Sequence, residues 1–167
     1  MTLQTILNRL QKLHPKEIDL SLDRVKNLCK KLGNPQKDLK YISVVGTNGK
    51  YSTIQALRAI LKEANIKCNI YTSPHIQRIN ERFIFNDEEI SDSDLSDLLV
   101  KVEEVNNGEE ITYFEILTAA YFFYAIVLAF LVWASMSVSY THLRAHETPE
   151  HRGMRGGVVK KKGGGGG

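Results

Sequence analysis

The sequence predicts an α/β fold with a P-loop-type parallel sheet flanked by helices. A short β-branched run at residues 41–45 is followed by a glycine-bearing loop at 46–50 and then by a helical pattern over residues 52–64. Residues 67–71 return to a strand-like run. This strand–loop–helix–strand order predicts a parallel unit, because parallel strands need a long crossover connection that is usually a helix.

Length and composition are those of a soluble globular domain. The chain has 167 residues, of which 43% are hydrophobic and 25% charged, enough for one ordinary core. The net charge of +3 comes from the segment that begins at Arg144, so composition favours no nucleic-acid partner. Cys29 and Cys68 match no metal-binding or redox spacing and predict buried thiols in a reducing, cytoplasmic compartment. The first residues show no secretory signal.

Further elements follow from apolar periodicity and turn residues. Apolar residues recur at helical spacing over 2–13 and again over 22–32, which predicts two amphipathic helices before the first strand. Residues 82–85 form another short strand-like run. Ser91 is a suitable N-cap for a helix over 92–105, whose first turn is acidic as the helix dipole favours.

The strongest chemical signal lies in residues 45–53, between a strand and a helix. A loop at that position points backbone N–H groups at an anion. Gly46 and Gly49 permit a tight turn and a close approach of the backbone to a phosphate. Lys50 would reach the terminal phosphates as a point charge. Hydroxyl groups for a phosphate or a magnesium ion would come from Ser52 and Thr53.

The loop does not match the strict P-loop pattern. Gly46 and Gly49 are too close together, and Tyr51 separates Lys50 from Ser52. The alternative is an ordinary glycine turn after a strand, followed by a surface lysine. Pattern alone leaves both interpretations open and favours phosphate binding.

Several segments combine into one family pattern. They are Ile18-Asp-Leu20 with Leu22-Asp-Arg-Val25, Gly46-Thr-Asn-Gly-Lys50 with Ser52-Thr53, Tyr71-Thr-Ser-Pro-His75, Asn80-Glu-Arg82, and Thr112-Tyr-Phe-Glu115 with Leu117-Thr118. In content and order they resemble the folylpolyglutamate synthase/dihydrofolate synthase family of the Mur ligase superfamily. The resemblance covers residues 1–125 and implies the amino-terminal part of an ATP-binding Mur ligase-like domain, an incomplete central domain of that fold.

The resemblance also implies site residues. The ATP phosphates would be held by Gly46, Thr47, Asn48, Gly49, Lys50, Ser52 and Thr53. Lys50 would have a catalytic role, offsetting charge on the transferring phosphoryl group. Ser73 would ligate magnesium through its hydroxyl, an oxygen ligand suited to a hard cation. The pterin-side pocket would be lined by Ile18, Asp19, Leu20, Thr112, Tyr113, Phe114 and Glu115.

The implied reaction is ATP-dependent ligation of L-glutamate to dihydropteroate or to tetrahydrofolate polyglutamate. A carboxylate attacks the γ-phosphate of ATP and becomes an acyl phosphate, from which the amine of glutamate displaces phosphate. Positioning and charge neutralisation supply most of the catalysis in such transfers. The implied cofactors are ATP and Mg²⁺, and the implied partners are small-molecule substrates: dihydropteroate, folates and L-glutamate. The resemblance further implies a cytoplasmic monomer with no nucleic-acid or membrane partner.

Some matched residues also have simpler interpretations. Asp19 could be a solvated carboxylate in a turn, and Ser73 could belong to a plain proline turn. Thr112 and Glu115 have the spacing of a helix capping box, which does not exclude contact with a ligand. His75 is assigned no catalytic role, because a surface or packed histidine is the commoner case.

The chain departs from the family pattern in two places. Tyr51 stands where the family has glycine, and its side chain or its backbone requirement could lower ATP affinity. The resemblance stops near Ala125, before the acidic metal ligand, the glycine-rich loop and the histidine ligand that the family would supply. We therefore predict that this chain alone does not catalyse ligation.

The remainder of the chain is predicted to be unrelated to the domain. The uncharged run 116–138 is long enough for a membrane span, but residues 126–138 are better interpreted as a hydrophobic junction of doubtful origin. Residues 139–167 resemble translated sequencing-adaptor DNA, which predicts a disordered, non-native tail. Rival interpretations of the whole are a peptidoglycan-precursor Mur ligase, a simple P-loop nucleotide switch, and a single-span membrane protein with a nucleotide-binding head.

Overall fold

The helices follow the predicted order closely. The computed structural model describes residues 2–13 and 21–145, with side chains described as far as residue 131. The helices are α1 (Leu3–Gln11), α2 (Asp23–Lys31), α3 (Lys50–Glu63), α4 (Asp92–Asn106) and α5 (Tyr113–Ala145). The strands are β1 (Ile70–Tyr71), β2 (Phe83–Phe85) and β3 (Glu88–Glu89), and short 3₁₀ turns lie at Pro35–Lys37 and Ile79–Arg82.

The core forms where α1 and α2 pack on α4. Leu10 of α1 and Leu95 and Leu99 of α4 have no exposed surface, and Ile116 of α5 is equally buried. Burial of one such side chain contributes about 1.5–3 kcal/mol. The amphipathic faces that the sequence predicts for these helices are therefore the faces that meet.

The residues at the two ends of α4 explain where this helix begins and ends. The Ser91 hydroxyl accepts a hydrogen bond from the Asp94 N–H at 3.1 Å, as predicted for an N-cap. At the other end Asn107 takes a left-handed conformation, with φ of 55°. A left-handed residue after the last turn is a common way to end a helix, and asparagine tolerates it better than most residues.

The sheet differs from the prediction. Its strands lie in the order β1-β2-β3 and are antiparallel throughout, with Ile70 opposite Ile84 and Phe85 opposite Glu88. Asn86 and Asp87 form the β2–β3 turn with φ of 51° and 72°, which is the backbone that a two-residue hairpin requires. The predicted parallel pairing is therefore wrong for the described residues.

The predicted strand at residues 41–45 pairs with no strand in the described part of the chain. Tyr41, Ile42 and Val45 are 71%, 72% and 86% exposed. A β-branched run becomes a strand only when another strand satisfies its backbone hydrogen bonds, and parallel strands are normally buried on both faces. The local propensity is present here, but the described residues offer no neighbouring strand.

Helix α5 continues further than the sequence analysis predicts. It runs from Tyr113 to Ala145, so residues 139–145, predicted to be disordered, are helical. The physical reason is that residues 113–145 contain neither glycine nor proline, so no residue breaks the helix. The rest of the predicted tail, 146–167, lies outside the described residues.

Contacts divide the chain into two units, residues 1–130 and 131–167. Within the first unit, Ile116, Leu117, Ala119 and Ala120 of α5 are fully buried against the core. The segment Tyr113–Leu131 is long and apolar enough to cross a membrane, with a mean hydropathy of 2.0. A core helix passes the same test of length and composition, and 33% of this segment is buried within the protein.

Candidate nucleotide and substrate site

The loop between residues 45 and 50 has the backbone of an anion-binding turn. Gly49 is the N-cap of α3 and has a left-handed φ of 75°. An L-residue with a Cβ is strained in that conformation by about 1–2 kcal/mol. The sequence-based expectation that Gly49 is needed for backbone freedom is therefore supported by the local geometry.

The amino-terminal end of α3 is open. The first N–H groups of any α-helix have no partner within the helix, and among the described residues no side chain caps α3. Residues 45–49 are exposed. The loop thus presents free backbone donors and the positive end of the helix dipole to solvent, the arrangement that binds phosphate.

Lys50 lies across this loop. Its Nζ donates to the carbonyl oxygen of Gly46 at 2.5 Å and to that of Thr47 at 3.3 Å. The ammonium group is therefore held beside the open amides by the loop itself. A lysine in that position adds a point charge where the terminal phosphates of a nucleotide would lie.

Tyr51 lies in the first turn of α3 and has helical backbone. The expectation that this position needs the backbone freedom of glycine is therefore wrong, since a helical conformation suits any L-residue other than proline. The side chain is 66% exposed. Tyr51 could therefore lower ATP affinity only through steric contact between its side chain and a bound nucleotide.

We expect Tyr51→Gly to change ATP affinity less than threefold, because the backbone is already helical without glycine. The same substitution should lower the stability of α3 by about 0.5 kcal/mol, because glycine is about 1 kcal/mol below alanine in helix propensity and tyrosine is roughly half as far below it. Isothermal titration of both chains with ATP, alongside urea unfolding, measures the two quantities separately. A tenfold gain in affinity would show that the side chain does obstruct the phosphates.

An ion pair joins helix α3 to the β2–β3 turn of the sheet. Arg58 Nε donates to Asp87 Oδ1 at 2.9 Å, and Arg58 Nη2 donates to the Asp87 carbonyl at 2.7 Å. No residue of α3 itself is buried. The position of the candidate phosphate loop relative to the sheet therefore depends on Arg58 and the β2–β3 turn. Sequence reasoning did not single out either residue.

Ser73, the predicted magnesium ligand, lies in the loop that follows β1. Its side chain is exposed, and the peptide bond to Pro74 is cis. The described residues contain no group of three or more histidine, cysteine or acidic side chains that could hold a metal ion. At this point of the loop the Ser73 side chain offers one hydroxyl oxygen, which fits a magnesium ion that arrives with nucleotide phosphates.

Glu81 holds the loop that contains Ser73. Its carboxylate accepts the backbone N–H groups of Ile76, Gln77 and Arg78 at 2.7, 2.9 and 2.8 Å. These bonds favour the ionised form, so the pKa of Glu81 lies below its ordinary value. The glutamate of the predicted Asn-Glu-Arg segment is thus a backbone anchor, a role that the sequence alone did not reveal.

The anchoring by Glu81 should be visible as a pH-dependent stability. Because the folded-state pKa is lowered, the contribution is present above the unfolded pKa of about 4.3 and is lost as the pH falls through the folded value. We expect Glu81→Gln to lower the urea midpoint at pH 7 and to match the parent chain near pH 3. Glu88→Gln, an exposed change on β3, is the control and should show no difference at either pH.

The predicted substrate segment forms the start of α5. The Thr112 hydroxyl accepts the Glu115 N–H at 3.2 Å, and Glu115 Oε2 accepts the Thr112 N–H at 2.9 Å. The capping box suggested by the spacing is therefore confirmed. It fixes the direction in which the first turn of α5 leaves the loop.

Glu115 also forms an ion pair that joins α5 to α2. Arg24 Nε lies 3.1 Å from Glu115 Oε2. Burial is the largest single influence on this carboxyl and raises its pKa, but the hydrogen bonds from Thr112 and Arg24 outweigh it, and the net pKa is lowered. Arg24 belongs to the segment Leu22-Asp-Arg-Val25 of the family pattern. Its pairing with Glu115 could not be predicted from the sequence and is seen only in the structure.

The remaining substrate-side residues are distributed unevenly. Tyr113 lines a groove that also contains His75 and Asn80. Phe114 is 51% exposed, and its ring centroid lies 6.2 Å from that of Tyr71. Ile18, Asp19 and Leu20 lie outside the described residues. The structure therefore places Tyr113 and Phe114 at an accessible surface beside the loop that follows β1.

Comparison with known proteins finds relatives of the same family that the sequence pattern resembles. The chain is 38% identical over 112 residues to the dihydrofolate synthase/folylpolyglutamate synthase of Haemophilus influenzae, covering 67% of this chain and 25% of that protein. It is 39% identical over 109 residues to the Bacillus subtilis enzyme of the same name, covering 62% of the chain and 25% of that protein. This chain is homologous to part of the folylpolyglutamate/dihydrofolate synthases. It spans about a quarter of the length of the curated relatives it matches, and no family model matches it.

Solved synthase structures agree with the fold. The Escherichia coli FolC structure in complex with DHPP and ADP superposes with a TM-score of 0.69 at 32% identity, covering 77% of this chain and 31% of that one. The Yersinia pestis bifunctional synthase, complexed with AMPPNP and a manganese ion, gives 0.67 at 34% identity and covers 73% and 30%. The predicted α/β fold class is confirmed at this level, although the sheet that this chain forms is small and antiparallel.

Proposed function

We propose that residues 46–53 bind the phosphates of ATP as part of an ATP-dependent folate ligase. The observation that carries the proposal is the open amino-terminal end of α3, with Gly49 in a left-handed conformation and Lys50 held across the loop. The resemblance to synthases whose structures contain ADP or AMPPNP supports the choice of nucleotide.

Backbone and side-chain groups of the loop would make different contacts with the phosphates. Backbone N–H groups of Thr47 to Gly49 and of the first turn of α3 would contact phosphate oxygens. Lys50 would neutralise charge on the transferring phosphoryl group. To do so, its Nζ would leave the Gly46 and Thr47 carbonyl oxygens and donate to phosphate oxygens instead. Ser52 and Thr53, in the first turn of α3, would add hydroxyl groups.

Magnesium would be bound mainly through the nucleotide. Ser73 would contribute one hydroxyl oxygen, and the phosphates would contribute negatively charged oxygen ligands. When bound, the ion would offset the charge that develops on the phosphoryl group. The AMPPNP and manganese complex of a related synthase supports a divalent ion at the nucleotide.

The acceptor substrate would bind beside α5. Its proposed contacts are Ile18, Asp19 and Leu20 together with Thr112, Tyr113, Phe114 and Glu115. Since the Glu115 carboxylate already serves the capping box and Arg24, its proposed role is to hold the wall of this pocket. The ligands of the Escherichia coli complex, DHPP and ADP, support dihydropteroate as the acceptor and ATP as the phosphoryl donor.

The proposed reaction is ligation of L-glutamate to dihydropteroate or to a tetrahydrofolate polyglutamate through an acyl phosphate. The chain matches a quarter of a whole synthase, so the remaining functional groups would have to come from outside the described residues. We propose that this chain alone binds nucleotide without completing ligation. The synthase resemblance further supports a cytoplasmic, monomeric protein of the Mur ligase type.

Equilibrium titration of the chain with ATP, in the presence and absence of magnesium, tests the proposal. The expected result is saturable binding that magnesium strengthens and that inorganic triphosphate competes away. GTP should bind with comparable phosphate contacts, which makes it a measure of how much the loop alone contributes. Absence of any saturable binding by the folded chain would contradict the proposal.

A further inference from the structure

Arg82 is a buried cation without an acidic partner among the described residues. Its side chain is 9% exposed, and within that part of the chain no carboxylate forms an ion pair with it. The neighbouring Glu81 directs its carboxylate to the backbone of residues 76–78 instead. The Tyr71 hydroxyl is a neutral hydrogen-bond partner of this guanidinium, but burying a guanidinium without a carboxylate beside it opposes folding. Stability alone therefore does not explain why arginine occupies this position.

The guanidinium is used to hold a histidine. Arg82 Nε donates to His75 Nδ1 at 2.9 Å. A guanidinium has donors only, so Nδ1 must carry the lone pair, and the single ring proton must be on Nε2. A fixed hydrogen bond at one nitrogen selects the tautomer and orients the ring. His75 is thereby made a donor through Nε2.

His75 lies in the wall of a groove of about 470 Å³ between α1, the loop after β1 and the start of α5. That volume is within the range of small-molecule sites. The charged residues of its wall are engaged with each other, and Arg78 and Asn80 both donate to Asp92 Oδ1 at 2.8 Å. The groove wall therefore combines one carboxylate, already hydrogen-bonded to Arg78 and Asn80, with the Nε2–H of His75.

Tyr113 is the second candidate donor of the groove wall. Burial raises the pKa of its phenol, so the hydroxyl keeps its proton at neutral pH. The charged side chains of this region are Arg78 and Asp92 in the wall, Arg82 behind His75, and Glu81, whose carboxylate is bound to the backbone next to His75. A donor pair formed by an imidazole N–H and a phenol suits an oxygen acceptor such as a carbonyl or a carboxylate.

We propose that Arg82 is a positioning residue that fixes His75 as a hydrogen-bond donor to an oxygen of the acceptor substrate in the groove beside Tyr113. The choice of ligand rests on the proposed function, since dihydropteroate carries a ring carbonyl and a benzoate carboxylate. The tautomer of His75 does not rest on it, because it follows from the Arg82 contact in the chain without ligand.

The tautomer is measured first, by ring proton–nitrogen correlation NMR of the whole chain labelled with ¹⁵N-histidine. His75→Phe identifies the His75 signals among the five histidines. The expected result is a protonated Nε2 and an unprotonated Nδ1. Arg82→Gln should produce a tautomer mixture, and Arg82→Lys should partly restore the parent state because lysine still donates. A protonated Nδ1 in the parent chain would overturn the inference.

Arg58→Gln is the matched control, because it removes another hydrogen-bonded arginine and should leave the His75 signals unchanged. If Arg82→Gln does not fold, the parent tautomer and Arg82→Lys still decide the matter. A general structural role would alter stability in both arginine variants without moving the tautomer.

The ligand is tested with dihydropteroate, 4-aminobenzoate and a dihydropterin as separate probes. We expect dihydropteroate to shift the Nε2 signal and to bind about three- to tenfold more weakly to His75→Phe and to Arg82→Gln, the range for one hydrogen bond. The smaller probe that shifts Nε2 identifies the oxygen as carboxylate or ring carbonyl. Binding of dihydropteroate without a shift at His75 would overturn this inference while leaving the proposed function intact. Loss of ATP binding would count against the proposed function alone.

Discussion

Replacing Phe83 with alanine is expected to unfold the chain or to reduce its free energy of unfolding by about 3–5 kcal/mol. Phe83 has no exposed surface, and its ring packs edge-on against Tyr71, with centroids 5.5 Å apart. It also lies 6.3 Å from Tyr121. The substitution removes both the buried area and the aromatic contacts that join β2 to β1 and α5.

The size of this effect matters because domains are stable by only about 5–15 kcal/mol. Urea unfolding followed by circular dichroism measures it directly. Phe114→Ala is the matched control, since that ring is 51% exposed and should cost no more than about 1.5 kcal/mol. Equal losses of unfolding free energy at the two positions would show that the contacts of Phe83 with Tyr71 and Tyr121 are not central to the core.

Replacing Lys50 with alanine is expected to weaken ATP binding roughly 10- to 150-fold, the equivalent of about 1.5–3 kcal/mol for a hydrogen bond to a charged group. The Nζ lies against the Gly46 and Thr47 carbonyls at the mouth of the loop. Removing it takes away the only side-chain cation that the loop 46–50 contains, while the backbone donors remain.

The fold should tolerate this change, because the recorded hydrogen bonds of Lys50 stay within an exposed loop. Lys62→Ala, in the last turn of the same helix, removes the same charge far from the loop in sequence and should leave affinity within twofold. Fluorescence titration with an ATP analogue at several salt concentrations gives both constants. The Lys50 variant should also show a weaker salt dependence, since one phosphate contact is missing. Unchanged affinity would contradict a phosphate role for the loop.

Most of the local structure can be predicted from the amino-acid sequence. Helical periodicity predicted α1 to α4 nearly at their observed positions, Ser91 predicted the start of α4, and Thr112 with Glu115 predicted the capping box of α5. These features depend on residues within a few positions of one another, so a single sequence carries the necessary information. The same holds for the phosphate loop, whose glycine conformation and open helix end are local properties of residues 46–53.

Strand pairing and the partners of charged side chains could not be predicted in this way, because they depend on contacts between residues far apart in the chain. The run 41–45 has strand propensity, but the described residues offer it no partner, and the sheet forms instead from β1, β2 and β3 with antiparallel pairing. The partners of Arg24 and Arg58 are 91 and 29 residues away, and no periodicity connects them. Short-range patterns can propose a strand or a charged side chain, but pairing energies between distant segments determine what each one contacts.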